Sequence, residues 1–118
     1  MKLHTILMAS ISYAVLAVCA VPGATQAPKE ITITASRFAF APNEITVKKG
    51  EEVTLLIHST DVTHGLVVED LGLRTDIKKK ETASITFTPN TVGTFQGKCA
   101  HFCGKGHGSM TLIVHVVE

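Results

Sequence analysis

From Ile31 to Val117 the chain offers only short β-type runs broken by turn residues, and no stretch there is long and periodic enough for a substantial amphipathic helix. The runs are Ile31 to Ala35, Glu44 to Val47, Val53 to Ser59, Gly65 to Glu69, Ala83 to Phe87, Gly93 to Lys98 and Met110 to Val117. Pro42-Asn43, Lys49-Gly50, Leu71-Gly72, Pro89-Asn90 and the stretch from Gly104 to Gly108 separate them. Those residues interrupt pairing because proline lacks a backbone donor and glycine admits backbone angles that other residues avoid. Seven or so strands imply an all-β sandwich. In the last run Leu112, Val114 and Val116 share one face while Ile113, His115 and Val117 share the other, the pattern of a strand covered fully on one side and partly on the second.

A length of 118 residues fits one domain. The net charge of +1 excludes the strongly basic class of nucleic-acid binders. Lys78-Lys79-Lys80 is a basic run in a polar stretch and reads as a solvated turn, with no role assigned to it. The N-terminus combines Met1-Lys2-Leu3-His4, an apolar stretch from Ile6 to Val21 and Val18-Cys19-Ala20 before a Pro/Gly-containing segment. That is the layout of an export signal over residues 1–20, with cleavage expected after Ala20. An uncleaved anchor is the rival reading, although the apolar run is short of the roughly 20 residues a spanning helix needs. A lipid anchor on Cys19 is the third, weakened by Val18 where a small residue is wanted. All three place the folded part outside the cytoplasm, in the periplasm or on the outer face of the membrane. Residues 21–28 are expected to be a flexible tether and residues 29–118 the domain.

With Cys19 gone the mature chain keeps Cys99 and Cys103, and two cysteines in an oxidising compartment suggest a disulfide. The surrounding residues suggest something else. Cys99 to Met110 packs two thiols, two imidazoles (His101 and His107) and a thioether into one loop. Soft sulfur donors combined with imidazole favour copper. Gly104, Gly106 and Gly108 remove bulk and allow the tight turns that let Cys103, His107 and Met110 point into one small volume. A loop cannot surround a metal alone, so a further ligand is expected from elsewhere. His64, at the turn in Asp61-Val62-Thr63-His64-Gly65, is the candidate. His4, His58 and His115 lie away from this grouping and are left out of the site.

A loop histidine followed by Cys99-x3-Cys103-x3-His107-x2-Met110 resembles the ligand pattern of the dinuclear copper (CuA) domain of cytochrome c oxidase subunit II, nearest to the compact bacterial type. The likeness spans nearly all of residues 29–118, including Phe38-Ala39-Phe40-Ala41-Pro42. It implies a cupredoxin-like Greek-key β-sandwich. By the same likeness Cys99 and Cys103 bridge two coppers, His64 and His107 each cap one, and Met110 with the backbone carbonyl of His101 completes the set. His101 stands where many of these proteins have Glu, so a magnesium site that depends on that carboxylate is not expected. The His101 ring is expected to face solvent. Phe38, Phe40 and Phe102 are candidates for an apolar shell about the site, with a plain core role the stronger reading.

The implied function is electron transfer, from a donor such as a c-type cytochrome to membrane oxidase subunits or another acceptor, with no nucleic-acid partner. A copper carrier with a mononuclear site is the alternative, because the chain reads as a free-standing domain and lacks Trp. A zinc site leaves Met110 without a role, and a disulfide leaves His64, His107 and Met110 unexplained. Nothing resembles an acid–base pair, a nucleophile with its base or a phosphate loop, so the isolated chain is not expected to catalyse chemistry beyond redox exchange.

Overall fold

The computed structural model describes residues 13–14 and 29–118, so the export signal and tether readings fall almost wholly outside the described residues. Among the described residues nine strands form, in chain order β1 (Lys29–Ser36), β2 (Ala39–Ala41), β3 (Glu44–Lys48), β4 (Val53–Ser59), β5 (His64–Val68), β6 (Leu73–Ile77), β7 (Thr82–Phe87), β8 (Gly93–Lys98) and β9 (Thr111–Val117). Two short 3-10 turns, Glu69–Leu71 and His107–Ser109, are the helical elements among the described residues. None of these is long and apolar enough to cross a membrane.

The strands divide into a four-stranded sheet, ordered β2-β1-β4-β7, and a five-stranded sheet, ordered β3-β9-β8-β5-β6. Two pairings are parallel, β1 with β4 (Ile33 beside Ile57) and β3 with β9 (Val47 beside Val116), and the rest are antiparallel. Alternation decides which residues fill the gap between the sheets. Along β4 Val53, Leu55, Ile57 and Ser59 are buried while Thr54, Leu56 and His58 are only half-buried. They meet Leu66, Val68, Leu112, Val114 and Val116 of the other sheet in one core, to which β1 adds Ile33 and Ala35 and β2 adds Phe40. The two faces of β9 divide as expected: Leu112, Val114 and Val116 inward, Ile113 and His115 half-covered, Val117 exposed.

All seven expected runs are strands, and β2 and β6 are additional. Strand β2 has only three residues. Strand β6 contains Arg74 and Asp76, residue types depleted in strands. It sits at the edge of its sheet, where both charged side chains point to solvent while Leu73 and Ile77 turn inward. The edge position tolerates what a central strand would not.

Topology gathers the chemistry-bearing residues at one end of the sandwich. His64 opens β5 opposite Ile77, Lys98 ends β8 opposite Thr111, and Ser36 ends β1. The β1–β2, β4–β5, β6–β7 and β8–β9 connections therefore share that end. Leu55 lies at the centre of the four-stranded sheet, fully buried between Ile31 of β1 and Ile85 of β7. Replacing it with Ala should destabilise the fold by about 2–5 kcal/mol, read as a fall in the urea unfolding midpoint at unchanged slope.

Candidate metal centre

The loop from Cys99 to Met110 begins and ends at one point, because β8 and β9 are paired up to Lys98 and Thr111 and the Cys99 N–H donates to the Met110 carbonyl at 3.1 Å. Within the loop the His107 N–H donates to the Gly104 carbonyl, and the Ser109 N–H and hydroxyl donate to the Gly106 carbonyl. These bonds fold the 3-10 turn His107–Ser109 back over the core. Cys99, Cys103 and Met110 thereby point inward and are buried, while His107 is half-buried.

The donor atoms follow one another at nearly constant spacing. His64 Nδ1 is 3.9 Å from Cys99 Sγ, the two Sγ atoms are 3.8 Å apart, and Cys103 Sγ is 3.7 Å from His107 Nδ1 and 3.9 Å from Met110 Sδ. The His101 carbonyl oxygen accepts from the Cys99 thiol at 3.1 Å. Two ligand atoms each about 2.2 Å from a shared ion, at angles between tetrahedral and trigonal, lie about 3.6–3.8 Å apart. The spacing is compatible with donors that share a metal ion. It is also too long for a disulfide, and both cysteines are free. The donor atoms of His64, Cys99 and Cys103 all lie within 4.8 Å of one another.

His64 is the first residue of β5, directly after the expected turn, and it is fully buried. Its neighbour explains how the loop can cover it. A Cβ on Gly65 would come within 3.0 Å of the Ala100 side chain and 3.1 Å of the His101 nitrogen, so the missing side chain lets the ligand loop lie directly on β5.

Asp61 is the residue that sequence reasoning missed. Its Oδ1 accepts from His64 Nε2 and from the Val62 N–H, both at 2.7 Å, and its Oδ2 accepts from the Arg37 N–H at 2.7 Å. With Nε2–H committed to the carboxylate, Nδ1 keeps its lone pair and faces Cys99 Sγ, the usual way a carboxylate fixes a metal-binding imidazole. Burial pushes the Asp61 carboxyl up, but the N–H donors of Arg37 and Val62 and the His64 ring outweigh it and hold the group at about 2. The signal available in the sequence was the Asp-x-x-His spacing in a four-residue connection. Arg37 adds a second tie, its Nε donating to the Cys103 carbonyl at 3.0 Å.

Burial, and then the adjoining Cys99, push the Cys103 thiol up to about 11. In the metal-free protein it is a protonated thiol at neutral pH, and a cation is needed to draw out the thiolate.

The three phenylalanines part company. Phe40 is core, Phe102 is 74% exposed with its ring tilted 5.6 Å from that of His107, and Phe38 lies across the loop. A Cβ on Gly106 would come within 2.4 Å of the Phe38 ring, so that glycine serves as a seat for an aromatic ring as much as a turn residue. A Cβ on Gly108 would meet nothing within 4 Å. The His101 side chain is exposed, as expected, and a cavity of about 260 Å³ opens beside it, lined by Arg37, Val62, Thr63, His101, Phe102, Cys103 and Gly104.

A cupredoxin-like domain model matches residues 9–114. Cytochrome c oxidase subunit 2 of Thermus thermophilus is 33% identical over 91 residues, covering 74% of this chain and 67% of that protein. Nitrous-oxide reductase of Cupriavidus necator is 36% identical over 84 residues, 68% of this chain but only 13% of the reductase. Among solved structures, the periplasmic domain of subunit II of the Bradyrhizobium japonicum cytochrome oxidase superposes with a TM-score of 0.71 at 21% identity, covering 80% of this chain and 87% of that domain, a likeness of fold.

Because the Asp61 carboxyl is held below its ordinary value near 3.9, it contributes stability that is complete above about pH 4 and lost as pH falls toward 2. Asp61→Asn should cost about 1 kcal/mol at pH 6 after allowance for partial exposure, and the gap to the parent should close between pH 4 and 2 in denaturant titrations.

Proposed function

The chain belongs to the cupredoxin-like domain family, and from that premise we propose that it is an electron-transfer protein with a dinuclear copper centre of the CuA type. The observation that carries this reading is the order of the donors. Two thiols at the middle, 3.8 Å apart, are approached by one imidazole on the Cys99 side and by a second imidazole with a thioether on the Cys103 side. His107 Nδ1 lies beside Cys103 Sγ and outside the tight cluster of His64, Cys99 and Cys103, which favours two ions over one. Thiolate, thioether and imidazole together suit copper. The likeness to oxidase subunit 2 over two thirds of that protein supports the same conclusion.

Cys99, Cys103, His64, His107, Met110 and the His101 carbonyl would hold the metal, which supplies one-electron exchange when bound. The protein's part is to keep those donors still. The Cys99–Met110 backbone bond closes the loop, Asp61 fixes the tautomer and direction of His64, and Arg37 pins the Cys103 carbonyl. Met110 and His64 are fully buried, so water is kept from the sulfur donors and the site retains its shape when its charge changes. Electrons would arrive from a periplasmic redox donor such as a c-type cytochrome and leave to a terminal oxidase or another acceptor.

Metal analysis and electron paramagnetic resonance of the copper-loaded chain test the reading. Two coppers sharing one unpaired electron are expected, and Cys103→Ser should abolish that mixed-valence spectrum. One copper per chain would instead indicate a mononuclear carrier. Met110→Leu should leave both coppers bound and move the midpoint potential, since a weak thioether ligand adjusts potential more than affinity. Voltammetry of the variant reads the shift.

A further inference from the structure

The end of the sandwich that holds the donors is ringed by cations. Lys78, Lys79 and Lys80 form the β6–β7 turn, and the Lys79 N–H donates to the Thr63 hydroxyl at 3.2 Å, one residue from His64. Arg37 and Lys105 stand on the other connections at this end. All five are exposed. The acidic groups there are Asp61, whose oxygens are taken up by His64, Val62 and Arg37, with Glu81 in the lysine turn and Asp76, exposed on β6 opposite Gly65, so that five cations face three carboxylates. Away from that end lie Glu30, Glu51, Glu52, Glu69 and Asp70 against Lys29, Lys48, Lys49 and Lys98, the last beside Glu69 and Asp70. A chain with net charge near zero is therefore polarised along its length, positive around the metal site.

Within the ring two aromatic side chains reach the surface, beside the exposed His101. Phe102 is 74% exposed and Phe38 36%, and the cavity lined by Arg37, His101 and Phe102 reaches Cys103. An aromatic centre with a charged rim is the anatomy of a transient docking face, and the rim charge sets which partners approach productively.

We propose that this end of the domain docks a redox partner whose electron-exchanging face is acidic, with Phe102 at the centre of contact and Lys78, Lys79, Lys80, Arg37 and Lys105 at the rim. The proposal rests on the electron-transfer reading above and adds the charge of the partner to it. A lysine-rich c-type cytochrome is disfavoured, because like charges meet at the contact.

The test uses the full chain, loaded with copper and reduced, and oxidised in stopped-flow by two small one-electron acceptors: anionic hexacyanoferrate(III) and cationic tris(phenanthroline)cobalt(III). The reduced centre gives one electron to the iron or cobalt complex in each case. The rate with hexacyanoferrate should fall as salt rises from about 10 to 300 mM, and the rate with the cobalt complex should rise. The combined variant Lys78→Glu, Lys79→Glu, Lys80→Glu should bind the same copper with the same spectrum, yet lose about tenfold in the hexacyanoferrate rate at low salt and reverse its salt dependence. A lysine-rich cytochrome c should react slowly at low salt and faster as salt is added. The proposal is overturned if that cytochrome reacts fastest at low salt, or if neither small complex shows a salt dependence that the triple variant changes. Failure of the loaded chain to exchange electrons with either complex sinks the electron-transfer reading itself, and the docking face with it.

Discussion

Everything at the metal end depends on the closure of one loop. Strands β8 and β9 are neighbours in the sheet, paired through Lys98 and Thr111, and the next backbone bond joins Cys99 to Met110. The first and last donors of the loop are thus neighbours by backbone geometry before any side chain is considered. The entropy of ordering a loop is the main cost of building a site on it. Here the flanking sheet bears part of that cost. Glycines let the loop lie flat: Gly65 admits Ala100 and His101 from above, and Gly106 admits Phe38. The fifth side chain, His64, needs no loop at all, being the first residue of a strand already fixed by pairing to β6.

The same closure makes the metal-free site electrostatically unsettled. Two thiols 3.8 Å apart are buried among apolar residues, and the Cys103 thiol is held near 11 by burial and by its neighbour. In that state sulfur can make only weak hydrogen bonds. A cation changes the balance, because it favours the thiolate that burial alone disfavours. The site therefore gains most from metal where the fold has excluded most water. Asp61 lies where that burial gives way to solvent, with its His64 partner fully buried and its own carboxylate partly exposed, so it can stay charged while orienting the imidazole.

Much of this was legible in the sequence, and what was not follows a pattern. The seven runs from Ile31 to Val117 were visible because alternation and turn residues are local signals. The candidate donors Cys99, His101, Cys103, His107 and Met110 stood out because they are contiguous and chemically unusual, and His64 because such a loop calls for an outside ligand; the structure brings their donor atoms together. Strand β6 was hidden, since Arg74 and Asp76 belong in a strand only if it lies at an edge, and edges are decided by tertiary pairing. Asp61 was hidden because its role depends on three donors drawn from β5, its own connection and the β1–β2 turn. That Gly106 lacks bulk was legible, but the partner that needs its space was not: it is Phe38, sixty-eight residues away in the chain.

Charge shows the same limit most clearly. Composition reports a chain with eleven basic and ten acidic residues, and Lys78-Lys79-Lys80 reads as an ordinary solvated turn. Neither statement says where the charges fall once strands reverse direction. Because β6 runs antiparallel to β5, the residue after Ile77 must emerge beside Thr63 and His64. The lysine turn is brought to the metal end by register alone. Because β5 leads away from that end, Glu69 and Asp70 are carried off from it to lie beside Lys98. The polarity of the domain is thus a consequence of strand order acting on a nearly neutral sequence. A domain built on the same strand order with its charged turns exchanged would bind the same metal and present the opposite sign to its partners.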